Sequence, residues 1–386
     1  MTYQESLAWL YSTQQFGIKL GLENTIRLLD GCGNPHDGLR ILHVAGTNGK
    51  GSVCAMLDAI LRRAGHRTGL YTSPHLVDFR ERIQVDGKWV SREFVAGNLT
   101  RLRKLCAECT HPPTFFEIST VLALEAFSEA ACDVVVLETG MGGRLDATNA
   151  VTPIVSIITP IAMDHAEWLG NTIGRIAAEK AGIIKTGVPA VSAPQVPAAS
   201  EVLRQKANST ASALTFVSEP WPGALALPGE HQTWNAALAV LALNAAGLRP
   251  ADESVSGALA GVHWPGRFQR LSSKLVVDGA HNPHSARALV NTWKSVFGDE
   301  KAVVVFGALR DKDYREMLDI LGEIAVEFLF VPIASARTAR PDEFVECSTI
   351  PSRTFEDLPG ALSETRGRLT LITGSLFLVG EVLALS

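Results

Sequence analysis

One stretch near the amino terminus constrains the fold more than any other. A short apolar run, residues 41–45, enters a turn that is rich in glycine and carries one lysine and one serine. A helical pattern of apolar side chains follows, at Val53, Leu57, Ile60 and Leu61. Glycines in such a turn let backbone N–H groups point at an anion, and the first turn of a helix adds its positive dipole. The stretch therefore predicts a strand, a phosphate-binding loop and a helix.

The side chains of this loop suit a nucleoside triphosphate. Lys50 can reach the outer phosphates, and the Ser52 hydroxyl can contact phosphate or a phosphate-bound Mg²⁺. A glycine separates the lysine from the serine, so the spacing departs from G-x-x-x-x-G-K-[ST]. An ordinary glycine-rich turn is the alternative, but the order of strand, loop, lysine and helix favours triphosphate binding.

Composition limits the classes of protein to which this chain can belong. Its 386 residues are 46% hydrophobic and 19% charged, which predicts a globular chain of two domains or one large one. The formal net charge of −5 argues against nucleic acid as the main partner. No basic segment precedes an apolar run at the start, and apolar runs are short, so we expect no secretion signal and no membrane span. Six scattered cysteines fit a reducing cytoplasm, and the C-x-x-C pair Cys106 and Cys109 is interpreted as two thiols of one helix.

The order of elements predicts an α/β fold with two domains. Apolar strands alternate with helical patterns, which is typical of a mostly parallel sheet that binds its ligands at the carboxyl ends of the strands. A second set of strands begins at residue 275, after turn residues around Trp264. We therefore expect a P-loop ATPase-type domain over residues 1–268 and a smaller Rossmann-like domain over 269–386. The segment 192–228, rich in Pro, Ala and Ser, is interpreted as a loop-rich edge of the first domain.

Two predicted strands are followed by side chains that suit a metal. The apolar run 134–137 ends at Glu138, whose carboxylate would emerge at the ligand edge of the sheet and could hold Mg²⁺. The glycine-rich segment 140–146 that follows is either a second close-approach loop or a bare turn. His165, beside Asp164, follows another strand, and the residues alone support a metal ligand and a structural histidine equally.

Lys180 is the most informative irregularity in the sequence. It falls on the apolar stripe of a predicted helix, four residues after Ile176. A lysine on a buried face must be paired, deprotonated or modified, because an isolated ammonium is costly there. The alternative is a lysine whose stem packs against the core while its head reaches water.

The second domain has one polar turn of similar interest. Asp278 and His281 follow its first predicted strand, where a nucleotide ribose or a polar substrate would lie. A simple helix-start turn built on Asn282 and Pro283 is the alternative.

Together these stretches resemble the Mur ligase superfamily and, within it, the folylpolyglutamate synthase/dihydrofolate synthase family. The resemblance runs from Leu20 to Leu376. G-T-N-G-K alone would fit any Mur ligase, whereas its combination with T-S-P-H-L and G-G-R-L-D-A-T-N is specific to the folate branch. The matching motifs are H-V-A-G-T-N-G-K-G-S (43–52), T-S-P-H-L (72–76), R-E-R-I (80–83), T-F-F-E (114–117), E-T-G-M-G-G-R-L-D-A-T-N (138–149), D-H-A-E-W-L-G (164–170), E-K-A-G-I (179–183), P-G-R-F-Q (265–269) and D-G-A-H-N-P-H (278–284).

The resemblance implies a cytoplasmic, monomeric amide ligase. ATP would phosphorylate a substrate carboxylate, and the amine of L-glutamate would displace the phosphate to leave ADP, phosphate and an amide. The acceptor would be dihydropteroate, reduced folates or both. Two Mg²⁺ ions would assist, and a carbamate formed from CO₂ on Lys180 would turn a buried cation into an anion.

The resemblance also assigns residues to each ligand. The ATP site would comprise Gly46, Thr47, Asn48, Gly49, Lys50, Gly51, Ser52, Asn235, Arg267 and Asp278. One Mg²⁺ would be held by Ser73 and Glu138, and the second by Glu138 and His165. The pterin-binding segments would be Thr114, Phe115, Phe116 and Glu117, with Leu145, Asp146 and Ala147. The incoming glutamate would lie near His281 and Ser375. The catalytic residues would be Lys50, Glu138, His165 and Lys180.

Several alternatives remain open. The enzyme could extend folate tails only, or it could be another Mur-type ligase; a cell-wall ligase would need a nucleotide-sugar module before the loop, for which residues 1–45 are too few. A P-loop GTPase should carry an N-K-x-D motif, which the sequence lacks. A non-catalytic ATP-binding module would require neither a second domain nor Lys180 on a buried stripe.

Overall fold

The structure is a computed structural model that describes residues 1–17 and 21–385. It contains two α/β units, each built on its own sheet. Leu20, at which the resemblance begins, lies outside the described residues. The prediction of an α/β fold with two mostly parallel sheets is confirmed.

The first unit contains ten α-helices and eight strands among the described residues. The helices are α1 (Tyr3–Ser12), α2 (Glu23–Gly31), α3 (Lys50–Arg63), α4 (Arg92–Ala107), α5 (Phe115–Glu129), α6 (Ala166–Leu169), α7 (Ile173–Ala181), α8 (Pro197–Ser209), α9 (Glu230–Ala245) and α10 (Asp252–Leu259). The strands are β1 (Ile41–Ala45), β2 (Thr68–Tyr71), β3 (Ile83–Val85), β4 (Lys88–Trp89), β5 (Val134–Glu138), β6 (Val155–Ile158), β7 (Ala190–Ser192) and β8 (Leu214–Phe216).

The first sheet places β1 at its centre. The strand order is β4-β3-β2-β5-β1-β6-β7-β8, with all neighbours parallel except the β2-β3-β4 edge. Val134 and Val136 of β5 pack on the α3 side, whereas Val135 and Leu137 pack on the α5 side. Such continuous apolar strands are expected where helices cover both faces of a parallel sheet.

The second unit contains five helices and six strands in the described part of the chain. They are β9 (Gln269–Arg270), β10 (Leu275–Val277), α11 (Pro283–Phe297), β11 (Ala302–Phe306), α12 (Tyr314–Leu321), β12 (Ala325–Phe330), α13 (Pro341–Val345), β13 (Ser352–Thr354), α14 (Leu358–Glu364), β14 (Thr370–Thr373) and α15 (Leu376–Leu385). The strand order is β13-β12-β11-β14-β10-β9, and only β9 runs antiparallel to its neighbour.

The segment 192–228 was expected to be rich in loops, and this expectation is wrong for its centre. Residues 197–209 form α8, and β8 then adds the last parallel strand at the edge of the sheet. Ala199, Leu203 and Ala207 recur every four residues and are buried. The stripe escapes notice in the sequence because two of its three members are alanine. The segment does lie at an edge of the first sheet, as expected.

Helix α5 begins at Phe115, directly after the T of the T-F-F-E motif. Thr114 is the N-cap: its hydroxyl accepts the Glu117 N–H, and the Glu117 carboxylate accepts the Thr114 N–H. This reciprocal arrangement is a capping box, which satisfies two otherwise unpaired donors. In the sequence, the T-x-x-E spacing of residues 114–117 was the signal for this helix start.

No described helix, over residues 1–17 and 21–385, is both long and apolar enough to cross a membrane. Cys106 lies in the last turn of α4, and Cys109 follows the helix, where its thiol donates to the Leu105 carbonyl.

Candidate functional site

All the residues that the sequence indicated for ligand binding line a single cavity of about 1430 Å³. The cavity lies between the two units, at the carboxyl ends of β1, β2, β5 and β6 on one side and of β10, β11 and β14 on the other. Residues from both units are therefore brought together over long sequence separations. They are Gly46, Thr47, Asn48, Gly49, Lys50, Gly51, Ser52, Ser73, Thr114, Phe115, Phe116, Glu117, Glu138, Leu145, Asp146, Ala147, His165, Lys180, Asn235, Arg267, Asp278, His281 and Ser375.

The phosphate loop requires its glycines for two different reasons. Gly49 has a φ of 88°, in the left-handed region, and immediately precedes α3. A Cβ atom at Gly49 would also lie 2.7 Å from the Asn235 side-chain oxygen. At Gly46 a Cβ atom would overlap the Thr159 side chain. The loop is thus packed closely against both β6 and α9.

Not every N–H group of the loop is available to an anion. The N–H groups of Thr47 and Asn48 both donate to the Pro160 carbonyl, at 3.0 and 3.2 Å. The donors without an intrahelical partner are those of the first turn of α3, which begins at Lys50. An anion would therefore be bound mainly by the helix start rather than by the whole turn.

Two lysine ammonium groups meet at the Gly46 carbonyl. Lys50 Nζ donates to it at 3.2 Å and to the Thr47 carbonyl at 3.2 Å, and Lys180 Nζ donates to Gly46 at 2.8 Å. Lys180 is 4% exposed, so its head does not reach solvent. Burial, followed by the charge of Lys50, lowers the pKa of Lys180 to about 7. The apolar stripe of α7 therefore correctly predicted that Lys180 is buried.

This lowered pKa makes a prediction about stability. Because Lys180 has a pKa of about 7 in the folded protein and an ordinary value of 10.5, the unfolded state binds more protons between these values. Stability should therefore rise with pH across that window. Between pH 7 and 9 we expect the wild-type protein to gain roughly 2 kcal/mol relative to Lys180→Met, which lacks the titrating group. Urea unfolding of both proteins in CO₂-depleted buffer measures the difference, and parallel pH profiles would contradict it.

Glu138 is a buried carboxylate at the carboxyl end of β5. It is 3% exposed and accepts the Ser73 N–H at 2.9 Å. Burial raises the pKa of Glu138, and the charge of Lys50 and the Ser73 N–H oppose that effect. Within residues 1–17 and 21–385, no group of three or more His, Cys, Asp or Glu side chains could hold a metal by itself. The donor set suits Mg²⁺, which takes one or two carboxylates and completes its shell with water and phosphate oxygens.

Asp164 connects the two units across the cavity. Its carboxylate accepts the Lys312 ammonium at 2.5 Å and the Asn282 amide at 3.0 Å, and His281 Nε2 lies 3.6 Å away. Burial alone would raise the pKa of Asp164, but the hydrogen bond and charge of His281 and the charge of Lys312 hold it well below its ordinary value. Asp164 thus remains ionised and joins the β6 end to the β10 and β11 ends.

His165 is the neighbour of that carboxylate. Its backbone lies in the left-handed region, with a φ of 51°, and its N–H donates to the Asp164 side chain at 2.8 Å. Burial lowers the pKa of His165 to about 4, partly offset by Asp164. The imidazole is therefore neutral near pH 7, which is the form that binds a metal.

Lys312 was missed in the sequence, although its side chain is only 6% exposed and its ammonium contacts Asp164. It lies in a loop after β11 where charged residues alternate, and no periodic pattern marks it. Asn282 was named in the sequence only as a helix start, and it does cap α11, with its side chain accepting the Ser285 N–H. It forms a reciprocal amide pair with Asn48 at 3.2 and 3.0 Å, which joins the phosphate loop to α11.

The two segments assigned to the pterin have different characters. Thr114 and Glu117 are engaged with each other in the α5 capping box, so Phe115 and Phe116 present the apolar surface there. Asp146 accepts the Met141 N–H at 2.8 Å and the Thr148 hydroxyl at 2.6 Å. Burial raises the pKa of Asp146, and the Thr148 hydrogen bond opposes the increase.

The remaining predicted residues line the second-unit side and the rear of the phosphate loop. Asp278 accepts the Phe268 and Ala280 N–H groups, each at 2.8 Å. Burial raises the pKa of Asp278, and the charge of Arg267 lowers it. Ser375 is buried at the end of β14, where its hydroxyl accepts the Phe377 N–H at 3.1 Å.

Comparison with family models and curated proteins accounts for both units. The Mur ligase middle domain matches residues 44–219, and the Mur ligase, glutamate ligase domain matches residues 266–376. A dihydrofolate synthase/folylpolyglutamate synthase of Bacillus subtilis is 34% identical, with 98% of each chain covered. The protein of the same name from Escherichia coli is 33% identical over 88% of this chain and 84% of its own length.

Solved structures have the same architecture. Mycobacterium tuberculosis folylpolyglutamate synthase complexed with ADP and AMPPCP has a TM-score of 0.89 at 31% identity, covering 99% of this chain and 98% of that chain. Escherichia coli FolC in complex with DHPP and ADP has a TM-score of 0.90 at 30% identity, covering 98% of this chain and 97% of that chain.

Proposed function

The chain belongs to the folylpolyglutamate synthase/dihydrofolate synthase family of Mur ligases, and from that premise we propose that it joins L-glutamate to a folate-type acid at the expense of ATP. The acids are dihydropteroate, giving dihydrofolate, and reduced folates, giving longer glutamate tails. The relatives from Bacillus subtilis and Escherichia coli are named for both activities, which favours a bifunctional enzyme.

The proposed reaction has two steps. A carboxylate oxygen of the acid attacks the γ-phosphorus of ATP, and the bond from that phosphorus to the ADP oxygen breaks. The neutral amine of glutamate then attacks the acyl carbon, the bond to phosphate breaks, and the nitrogen releases a proton. Because water would destroy the acyl phosphate, the reaction needs an enclosed site. The cavity between the two units is such a place.

The observation that carries the proposal is the concentration of positive charge where two anions must meet. A carboxylate and a triphosphate repel each other unless cations and N–H dipoles lie between them. Lys50 and the start of α3 supply these from the first unit, and Arg267 lies at the same cavity. Asp278 and Asn235 are proposed nucleotide contacts, and His281 and Ser375 are proposed to lie near glutamate.

Mg²⁺ would be held by Glu138 and Ser73, with His165 near a second ion, and it would supply charge neutralisation for the transferred phosphate. The fit rests on Glu138, a buried carboxylate at the ligand edge of the sheet that accepts the Ser73 N–H. The protein's own part is to keep Glu138 dry and close to Lys50. The phosphates and water would complete each metal shell.

Lys180 is proposed to carry a carbamate. Its lowered pKa leaves a substantial fraction of neutral amine at pH 7, which is the form that can react with CO₂. The ammonium form faces Lys50 at the shared Gly46 carbonyl, so an anionic group would replace repulsion by attraction.

We propose that the boundary between the two units lies after residue 268. We also propose that the protein is cytoplasmic and monomeric.

The direct test is glutamate-dependent phosphate release by the purified protein with Mg-ATP. Parallel reactions contain dihydropteroate or tetrahydrofolate, and reactions without glutamate are the control. Release with both acids is the expected result. Release with tetrahydrofolate alone would restrict the enzyme to tail extension, and release with neither, despite nucleotide binding, would contradict the assigned substrates.

A further inference from the structure

Arg82 is a buried guanidinium on the cavity wall, and no carboxylate of the described residues lies beside it. It ends a 3₁₀ turn, Phe79–Arg82, and is 8% exposed. In the part of the chain that the structure describes, residues 1–17 and 21–385, Arg82 forms no ion pair within 4 Å. Arginine is almost never fully buried unless it is paired, because removing its charge from water is costly. Its position therefore calls for an explanation.

Neutral groups hold one edge of this guanidinium. Its Nε–H donates to His75 Nδ1 at 2.8 Å, so the ring proton of His75 is on Nε2, which faces the Tyr11 hydroxyl at 3.2 Å. The Phe115 ring packs 5.0 Å from the guanidinium carbon, and the Tyr71 hydroxyl is a further hydrogen-bond partner. A guanidinium has five donors, and these neighbours satisfy only part of them. None of them has a negative charge that would offset the cation.

The position of Arg82 points to the reacting end of the acid substrate. Arg82 and Glu138 interact electrostatically, and Glu138 accepts the N–H of Ser73, which also lines the cavity. Phe115 packs on the guanidinium, and Phe116 adds a second aromatic ring to the lining of the cavity. A ligand with an aromatic ring next to a carboxylate would therefore meet apolar surface and a guanidinium in the correct order.

We propose that Arg82 binds the carboxylate of the acid substrate through its terminal nitrogens. This inference rests on the proposed function and adds the residue that selects an acid over a neutral analogue. Parallel N–H donors of a guanidinium match the two oxygens of a carboxylate. The His75 contact leaves the outer edge of the guanidinium oriented before the ligand arrives, which reduces the entropy lost on binding.

The test compares dihydropteroate with its carboxamide analogue, in which a neutral amide replaces the carboxylate. Binding of each compound is measured by calorimetry with ADP and Mg²⁺ present, so that no turnover occurs. We expect the wild-type protein to bind the acid roughly 10- to 100-fold more tightly than the amide. Arg82→Met and Arg82→Gln should abolish most of this preference, because they weaken binding of the acid and leave binding of the amide unchanged. Arg82→Lys should retain part of the preference.

Arg80→Met is the matched control. Arg80 lies in the same 3₁₀ turn, its guanidinium is paired with Asp78 at 2.8 Å, and it is not among the residues that line the cavity. This variant should keep the preference for the acid. Thermal unfolding and ADP affinity establish that each variant is folded.

Each outcome has a distinct meaning. An unchanged preference in either folded neutral variant would overturn the inference, as would equal binding of both compounds by the wild-type protein. The wild-type result does not depend on whether a variant folds. A wild-type protein that binds ADP and neither compound would instead contradict the proposed function.

Discussion

Replacing Lys50 by alanine should reduce turnover by roughly 10³-fold or more, because this ammonium is the cation that the phosphate loop itself contributes. Lys50 begins α3, and its Nζ already lies at the loop carbonyls of Gly46 and Thr47. Charge redistributes on the transferred phosphate in this region during the reaction. We therefore expect the substitution to lower kcat much more than the affinity for ADP. Phosphate release and calorimetric ADP binding measure the two quantities.

Lys294→Ala provides the comparison for a lysine outside the site. Lys294 is about half exposed and pairs with Glu323 at 2.5 Å on the surface of the second unit. It should retain nearly normal turnover. If Lys50→Ala also remained near normal, the assignment of the phosphate loop would be wrong.

Lys180→Ala should impair turnover severely, by roughly 10²-fold or more, and short carboxylates should restore part of the activity. The variant opens space beside the Gly46 carbonyl, where the Lys180 head is now buried. If the working group is a carbamate, acetate or formate can supply the missing anion in that space. Ammonium ions or methylamine would instead replace a missing cation.

Rescue by carboxylates and not by amines is thus the result that separates the two charge states. Lys185→Ala is the matched control, because Lys185 is four residues beyond the end of α7 and donates to the Asn149 carbonyl at 2.9 Å. Carboxylates should leave its activity unchanged. Full activity of Lys180→Ala without any additive would remove the catalytic assignment of this lysine.

Local patterns were sufficient for several parts of this site. The order of strand, glycine turn, lysine and helix predicted β1 and α3, and both are present. The stripe through Ile176 predicted that Lys180 would be buried, because the period of a helix determines which side chains share a face. The apolar run 134–137 similarly placed Glu138 at the end of a buried strand.

Other features were lost or misjudged because their signals are weak or not local. The alanine-rich stripe of α8 was interpreted as loop, although residues with small apolar side chains also form a buried face. The turn as a whole was expected to direct backbone N–H groups at an anion, but those of Thr47 and Asn48 donate to Pro160, more than 100 positions away. The pairing of β6 with β1 brings that carbonyl to the loop.

The sequence by itself determined the chemical inventory of this protein: the phosphate loop, the acid after β5, the lysine on a buried stripe and the two α/β units. Each depends on residue type and on spacing within one helix, strand or turn, where the period is set by backbone geometry. Only the tertiary structure decided that Lys312 meets Asp164, that Asn48 pairs with Asn282, and that Arg82 is buried against His75 and Phe115. These contacts depend on how two sheets lie against each other, and no local period encodes that arrangement.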